Sequence, residues 1–266
     1  MKRLIVLLAP VFFLVVNPVA ISETLYWDDG LFHTINDNAY ENDHIRLDYQ
    51  TTNNPGTHLE LVDGTIGQLD SHRNATITMT GGSVGGKLEA SGSSTITMIS
   101  GSVGGNLTAH GGSTVTMSGG SVGNYFQARM NGIIIMAGGS VERGLEAINN
   151  GTITMSGGSV GTLGAGINGT IYLNGTGFKV DGQTLTYGDK LSDFVPLVVY
   201  RPDGNIYDCY TGTVTGTLAD GSALNTLFAI YNTGDLAGTA DIYIIPEPAT
   251  VILLGFGGLI LRSRKK

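Results

Sequence analysis

Three consecutive segments of the chain repeat one pattern, namely TITMTGGSVGGKLEASGSS (76–94), TITMISGSVGGNLTAHGGS (95–113) and TVTMSGGSVGNYFQARMNG (114–132). Each segment is 19 residues long. Apolar residues alternate with threonine or small residues in runs rich in β-branched side chains, which predicts short strands with one buried face. A fixed period of this kind predicts that each strand stacks on its own copy in the next repeat.

The same columns extend beyond these three segments. Methionine returns every 19 residues and leucine ends the series, in the order Met79, Met98, Met117, Met136, Met155 and Leu173. A β-branched column precedes it by two residues: Ile77, Ile96, Val115, Ile134, Ile153 and Ile171. The sequence therefore predicts an all-β fold, a parallel β-solenoid with about 19 residues per coil and about seven coils. A right-handed coil is expected, because parallel crossover connections strongly prefer that hand.

A solenoid needs capped ends, because each coil buries its core only against its neighbours. We predict solenoid repeats at 57–173, an N-terminal cap at 23–56 and a C-terminal β module at 174–245. The run Pro202-Asp203-Gly204-Asn205 is a turn signal within that last module.

Residues 1–22 are typical of a signal peptide. Two basic residues precede an apolar run at 4–16, and Ala20 and Ser22 supply small side chains before a cleavage at Glu23. The alternative is an uncleaved N-terminal membrane anchor, for which the apolar run is short.

Residues 246–266 form a tail of three parts: the motif Pro246-Glu247-Pro248, an apolar run at 249–261 and a basic end. The basic residues are Arg262, Arg264, Lys265 and Lys266. As a helix the apolar run would cover about 20 Å of a hydrocarbon core of about 30 Å, which predicts a marginal transmembrane helix with its basic end in the cytoplasm. A simple C-terminal anchor is the alternative.

This tail resembles the PEP-CTERM sorting signal of exopolysaccharide-producing Gram-negative bacteria. Repeats that read Gly-Gly-Ser-Val-Gly before a Leu-x-Ala strand are also similar to the β-helix repeats of adhesin-like, autotransporter-passenger-like surface proteins. The resemblance implies an exosortase-type processing enzyme as a partner. It also implies a precursor anchored in the inner membrane, then a structural or adhesive protein of the cell surface or biofilm matrix, with exopolysaccharide or other surface proteins as further partners.

The charge of the chain bears on its partners. Between Glu23 and Pro246 there are 21 acidic and 8 basic residues, a net charge of -13. Because binding to phosphate needs a basic face, we expect no nucleic acid as a partner. The single cysteine, Cys209, excludes a disulfide within the chain.

A polysaccharide-active β-helix enzyme is the main alternative, and it would need clustered carboxylates as acid and base. Glu89 is matched one coil later by Thr108, so no acidic column forms. The charged group Arg129, Glu142, Arg143 and Glu146 is interpreted as a solvated face. We therefore predict no catalytic residue and no cofactor.

An acidic N-terminal region offers a candidate metal site. Its members are Asp28, Asp29, His33, Asp37, Asp43 and His44, with His58 and Glu60 on one strand face. Their spacing matches no ligand motif, so they are interpreted as solvated cap residues and no metal is predicted.

Threonine pairs flank the buried β-branched column and form what we term the Thr array: Thr76, Thr78, Thr95, Thr97, Thr114, Thr116, Thr152 and Thr154. Stacking would space their hydroxyls and methyls by about 4.8 Å and 7 Å. Such arrays resemble ice-binding faces, which gives a second alternative function. Weak contact with carbohydrate and a purely structural role for threonine, a good strand residue, also remain open.

Overall fold

The computed structural model describes residues 22–50, 56–200, 207–233 and 239–246. Several predicted features lie outside these residues: Ala20, Glu247, Pro248, Arg262, Arg264, Lys265, Lys266 and the predicted transmembrane helix. No helix in the described part of the chain is long and apolar enough to cross a membrane.

Short strands follow one another along the described chain. In chain order they are β1 (Thr24–Trp27), β2 (Phe32–Asn36), β3 (Tyr40–Leu47), β4 (His58–Asp63), β5 (Thr65–Ser71), β6 (Thr76–Met79), β7 (Ser83–Val84), β8 (Leu88–Ser91), β9 (Thr95–Met98), β10 (Ser102–Val103), β11 (Leu107–His110), β12 (Thr114–Met117), β13 (Ser121–Val122), β14 (Tyr125–Arg129), β15 (Ile133–Ile148), β16 (Thr152–Gly166), β17 (Thr170–Val180), β18 (Gln183–Thr184), β19 (Leu197–Tyr200), β20 (Tyr207–Leu218), β21 (Ala223–Thr233) and β22 (Asp241–Ile245). A single 3-10 turn, Leu191–Phe194, interrupts them.

Apart from β18, β19 and β20, which pair antiparallel with their neighbours, the strands stack in parallel to form three sheets around one core. We name each sheet for the side chains it turns inward. The Met sheet contains β2, β4, β6, β9, β12, the first parts of β15, β16 and β17, and finally β22. The Leu sheet contains β1, β3, β5, β8, β11, β14, the last parts of β15 and β16, and β21. The Val sheet joins them through the two-residue strands β7, β10 and β13.

Like residues stack on like residues along the rod. Ile77 pairs with Ile96 and Met79 with Met98, and these side chains are fully buried. The threonine on either side of each isoleucine is half-buried, as the alternation of strand side chains requires. This stacking confirms the predicted all-β parallel solenoid with a spacing of about 19 residues.

The rod has about eight coils, one more than the sequence predicted. The additional rungs come from the segment before residue 57, where β1 and β3 pair in parallel and β2 pairs with β4. The inward positions there are Ile35, Ile45 and Leu47, which are buried like their counterparts in later coils. Because these residues do not share the composition of the later repeat, the period alone did not identify them as coils.

The C-terminal strands complete two of the sheets. The antiparallel pair β20–β21 folds back so that β21 lies parallel to β16, where Leu163 meets Phe228. Strand β22 lies parallel to β17, where Ile171 meets Ile242. The last coil is thus covered by side chains from residues distant in sequence, and Phe228 and Ile242 are both buried.

The corner between the Met and Val sheets needs glycine at one position of each coil. Gly120 has φ +85°, and a Cβ atom there would lie 2.6 Å from the carbonyl oxygen of Gly101. A side chain would strain this backbone and collide with the coil beneath, so the glycine of this column is required by the stacking itself.

Candidate functional site

The outer surface of the Met sheet carries the Thr array in two parallel columns. Thr76, Thr95 and Thr114 are register partners in one column, and Thr78, Thr97 and Thr116 are partners in the other. All are half-buried, because each lies against its neighbours above and below. The described structure therefore contains three consecutive coils with identical outward threonine pairs.

The columns change at the next coils. Ile133 and Ile135 occupy the threonine positions of the following coil and are each 41% exposed. Thr152 and Thr154 restore the pair, and Tyr172 then stands above Thr154. The rings of Tyr172 and Tyr243 close this end of the surface, with centroids 5.7 Å apart.

The chemistry available on the Thr array is hydrogen bonding over a flat surface. Each hydroxyl can donate one hydrogen bond and accept others, and each methyl adds a small apolar contact. The pairs repeat at the strand spacing of about 4.8 Å, so the surface suits an extended partner with repeated hydroxyl groups. The isoleucine coil divides the array, which weakens its match to an uninterrupted lattice such as ice.

The Leu sheet carries a charged cluster that the sequence analysis did not identify. The Asp70 carboxylate is only 3% exposed. His44 Nε2 lies 2.7 Å from Asp70 Oδ2, and Arg46 Nε lies 3.5 Å from the same atom. Lys87 Nζ lies 3.2 Å from Asp70 Oδ1 and donates hydrogen bonds to Asp70 Oδ2 at 3.5 Å and to Glu89 Oε2 at 3.2 Å.

This cluster joins neighbouring coils electrostatically. Partial burial of Lys87 lowers its pKa, but the negative charges of Asp70 and Glu89 outweigh that effect and raise it. All of the Asp70 contacts are to basic side chains, so this carboxylate is held as a structural ion-pair partner. The signal was the register: Leu69-Asp70-Ser71 aligns with Leu88-Glu89-Ala90, which places Asp70 beneath Glu89.

His72 lies beside the cluster. Its Nδ1 is 2.6 Å from Ser91 Oγ, and its ring meets the edge of Tyr49 with centroids 4.7 Å apart. Its Nε2 atom is buried with no hydrogen-bond partner among the described residues. Burial lowers the pKa of this imidazole, and the charge of Asp70 offsets part of that effect.

The acidic residues of the candidate metal site accept hydrogen bonds from backbone groups in turns, and one of them pairs with a histidine. Asp28 accepts hydrogen bonds from the backbone N–H groups of Tyr49 and Gln50, and Asp37 accepts one from Ala39. Asp29 pairs with His33 at 3.0 Å, and a hydrogen bond from the Leu31 N–H lowers the pKa of Asp29. In the part of the chain that the structure describes, no group of three or more His, Cys, Asp or Glu side chains could hold a metal ion.

The remaining residues that the sequence analysis singled out do not come together in one site. Arg129, Glu142 and Arg143 are exposed, whereas Glu146 is half-buried and accepts a hydrogen bond from Gln127 Nε2 at 2.5 Å. Cys209 is buried, and its burial raises the pKa of the thiol, which disfavours a reactive thiolate. Pro246 follows β22 directly, and Ser22 precedes β1.

Comparison with known proteins adds no relative. No protein-family model matches the sequence, and it matches neither a curated protein nor a solved structure. The likeness to PEP-CTERM and adhesin-like proteins therefore remains a hypothesis that depends on the motif and the repeat.

Proposed function

We propose that this protein is an exported structural or adhesive component of the cell surface or of an exopolysaccharide matrix. The observation that carries the proposal is the Thr array, which stands on a rod of about eight stacked coils. A rigid rod with a flat, hydroxyl-bearing face suits many weak contacts along a polymer better than capture of one small substrate.

Delivery to that location is part of the proposal. Residues 1–22 act as the signal peptide and 246–266 as the sorting tail, which an exosortase-type enzyme processes after the tail has anchored the precursor in the inner membrane. Support comes from the motif Pro246-Glu247-Pro248 and from the basic end beyond the apolar run. The motif starts immediately after β22, so processing there would leave the last rung of the Met sheet intact.

Mass spectrometry of the native protein from surface and matrix fractions tests this proposal. We expect mature protein that lacks the first 22 residues and the apolar tail. Replacement of Pro246, Glu247 and Pro248 by alanine should leave the precursor in the inner-membrane fraction, while the unaltered chain at equal expression serves as the control. Mature protein with both ends intact, or alanine-substituted chain that still reaches the matrix, would contradict it.

Polysaccharide cleavage is the competing function, because β-helices can present carboxylates along a sheet. In this chain Asp70 is held by three basic side chains, which disfavours a role as acid or base. Purified full-length protein should therefore release no new reducing ends from a panel of polysaccharides. Turnover that persists through a second purification step would favour the enzyme instead.

A further inference from the structure

The outer surface of the Leu sheet becomes concave where β21 lies against the last coil. The concavity has a volume of about 480 Å³, within the usual range for small-molecule sites. Strands β14, β15 and β16 form one side of it, and β21 and β20 form the other. We refer to this concavity as the hairpin groove.

Small residues form the floor of the hairpin groove. Gly164 is the register partner of Glu146 on one side and of Ala229 on the other. Gly144 lies on the neighbouring column, beside Thr162. The same outward column carries Glu89, Thr108, Gln127 and Glu146 in earlier coils, so Gly164 is the first position of this column without a side chain.

Aromatic and polar side chains form the walls. Tyr125 and Glu146 stand on the solenoid side, and Leu227 and Tyr231 stand on the β21 side, exposed by 61% and 44%. Gln127 Nε2 donates a hydrogen bond to Glu146 Oε2, which fixes the carboxylate beside the floor. Strand β20 contributes two hydroxyl-bearing residues to the lining, Thr211 and Thr213.

From this geometry we infer that the hairpin groove binds a neutral saccharide chain. Tyrosine rings offer apolar faces to the C–H side of a sugar ring, while the carboxylate and threonine hydroxyls can bond to sugar hydroxyls. The described residues of the groove lining include a carboxylate and no basic side chain, and the body has a net charge of -13, so anionic polysaccharides are repelled. This inference rests on the proposed adhesive role and names the chemistry of its ligand.

A peptide strand fits this place less well. Strand β16 pairs with β15 on one side and with β21 on the other, and β21 pairs also with β20. The backbone groups that a peptide would need for β-strand addition are therefore already used within the ladder. A ligand of the groove must therefore be recognised by the side chains of the walls. The open space above the glycine floor favours a ring-shaped, hydroxylated ligand.

Binding of purified full-length protein to an array of neutral gluco-, manno- and galacto-oligosaccharides tests the inference. We expect Gly164→Val to weaken binding to the best array member by about tenfold or more, because the side chain fills the floor. The fold should tolerate valine, since the strand backbone there is not in the left-handed region and the atoms nearest to a new Cβ belong to the Glu146 side chain, at 3.2 Å and 3.8 Å. Tyr231→Ala should weaken binding to a similar extent.

Two matched variants serve as controls. Gly85→Val places the same side chain in the bend after β7, where a Cβ atom would meet nothing closer than 3.8 Å, and it should leave binding unchanged. Tyr187→Ala removes a tyrosine that is 48% exposed and lies outside the groove lining, and it should also leave binding unchanged. Melting temperatures of all four variants separate loss of binding from loss of fold.

Four results would overturn the inference. These are the absence of binding to any neutral saccharide on the array, equal binding to oligohexuronates added to the same array, binding that Gly164→Val does not alter, and binding that Tyr187→Ala abolishes. A separate experiment tests the proposed function, namely the measurement of the location and processing of the native protein. Matrix-located protein that binds no neutral saccharide would retain the proposed function and refute this inference.

Discussion

Between Thr76 and Ile148 each coil repeats the coil before it, whereas the last coil is covered by strands that return from a distant part of the chain. In the repeated coils between Thr76 and Met117, the Thr array keeps the same outward side chain at each register position, so that face is flat. At the closing end the strands keep their parallel register, but the outward side chains are no longer alike. Across β16 and β21, Gly164 pairs with Ala229, Thr162 with Leu227 and Gly166 with Tyr231. A repeat thus builds the shape of the rod, and a concave site forms where the repeat is broken.

The largest effect is expected from a charge in the repeated core. Val115 is fully buried between two other β-branched residues, and no Lys or Arg is among the described buried residues. Val115→Asp should lower the free energy of unfolding by at least about 5 kcal/mol, because an unpaired carboxylate is buried. Thr116→Asp adds the same charge one residue away on the outer face and should cost below about 1 kcal/mol. Chemical denaturation of both full-length variants is the measurement, and equal losses would show that the faces are assigned wrongly.

The second prediction compares a repeated coil with the closing strands. Phe126 and Phe228 are both buried in the Leu sheet, and each change to alanine should cost about 3–5 kcal/mol. Because a solenoid is stabilised through contacts between neighbouring coils, each substitution should destabilise mainly the strands next to it. Hydrogen exchange should accelerate in β16 and β21 for Phe228→Ala, and in β11, β14 and β15 for Phe126→Ala. Identical exchange patterns would mean that the rod unfolds as one unit.

A corner glycine provides the third test. Gly120→Ala should cost about 1–3 kcal/mol, because φ is +85° and the new Cβ would approach a carbonyl oxygen of the coil beneath. Gly85→Ala is the control, since a Cβ there would meet nothing closer than 3.8 Å. Thermal melting of the two variants should show a clear loss for the first alone. A similar loss in both would point to general intolerance of alanine rather than to stacking.

The smallest effect concerns pH and the N-terminal coils. The pKa of His72 in the folded protein is lowered from its ordinary value of about 6.5, mainly by burial. Its contribution to stability is therefore fully present above that value and is lost as the pH falls through the lowered pKa. His72→Gln should reduce the fall in melting temperature between about pH 7 and pH 5.

Thr108→Gln is the control for this change, because it introduces a glutamine on the nearby Leu sheet without removing a titrating group. Both variants are compared with the unaltered chain across the same buffers. A pH dependence that His72→Gln leaves unchanged would contradict the prediction that His72 contributes to it.

Much of the fold could be predicted from the sequence because the period of the repeat determines the register of the stacked strands. The spacing of Met79, Met98 and Met117 gave the coil length, and the alternation around Ile77 gave the inward face. The rungs at 24–47 were not predicted as coils, because aromatic and charged residues such as Trp27 and Arg46 replace the repeat composition there. Their register depends on backbone pairing, which composition does not reveal.

The surfaces differ in the same way. The Thr array could be located from alternation alone, since its residues belong to repeated strands. The hairpin groove could not, because Leu227 and Tyr231 reach the last coil only through the return of β21, and their distance in sequence from Thr162 and Gly166 gives no periodic signal. Asp70 was missed for a simpler reason: its coil departs from the repeat, and its partner His44 lies one coil earlier.

The in-register stacking of like residues has a consequence for how such a chain can change its length. A one-residue insertion within a strand would move its side chains to the opposite face and place threonine where methionine is buried. Duplication of a whole coil of about 19 residues preserves every column and lengthens the rod by about 4.8 Å. Gene duplication and loss in units of one coil would therefore act as a ruler, setting how far the closing end of the rod stands from its first coil.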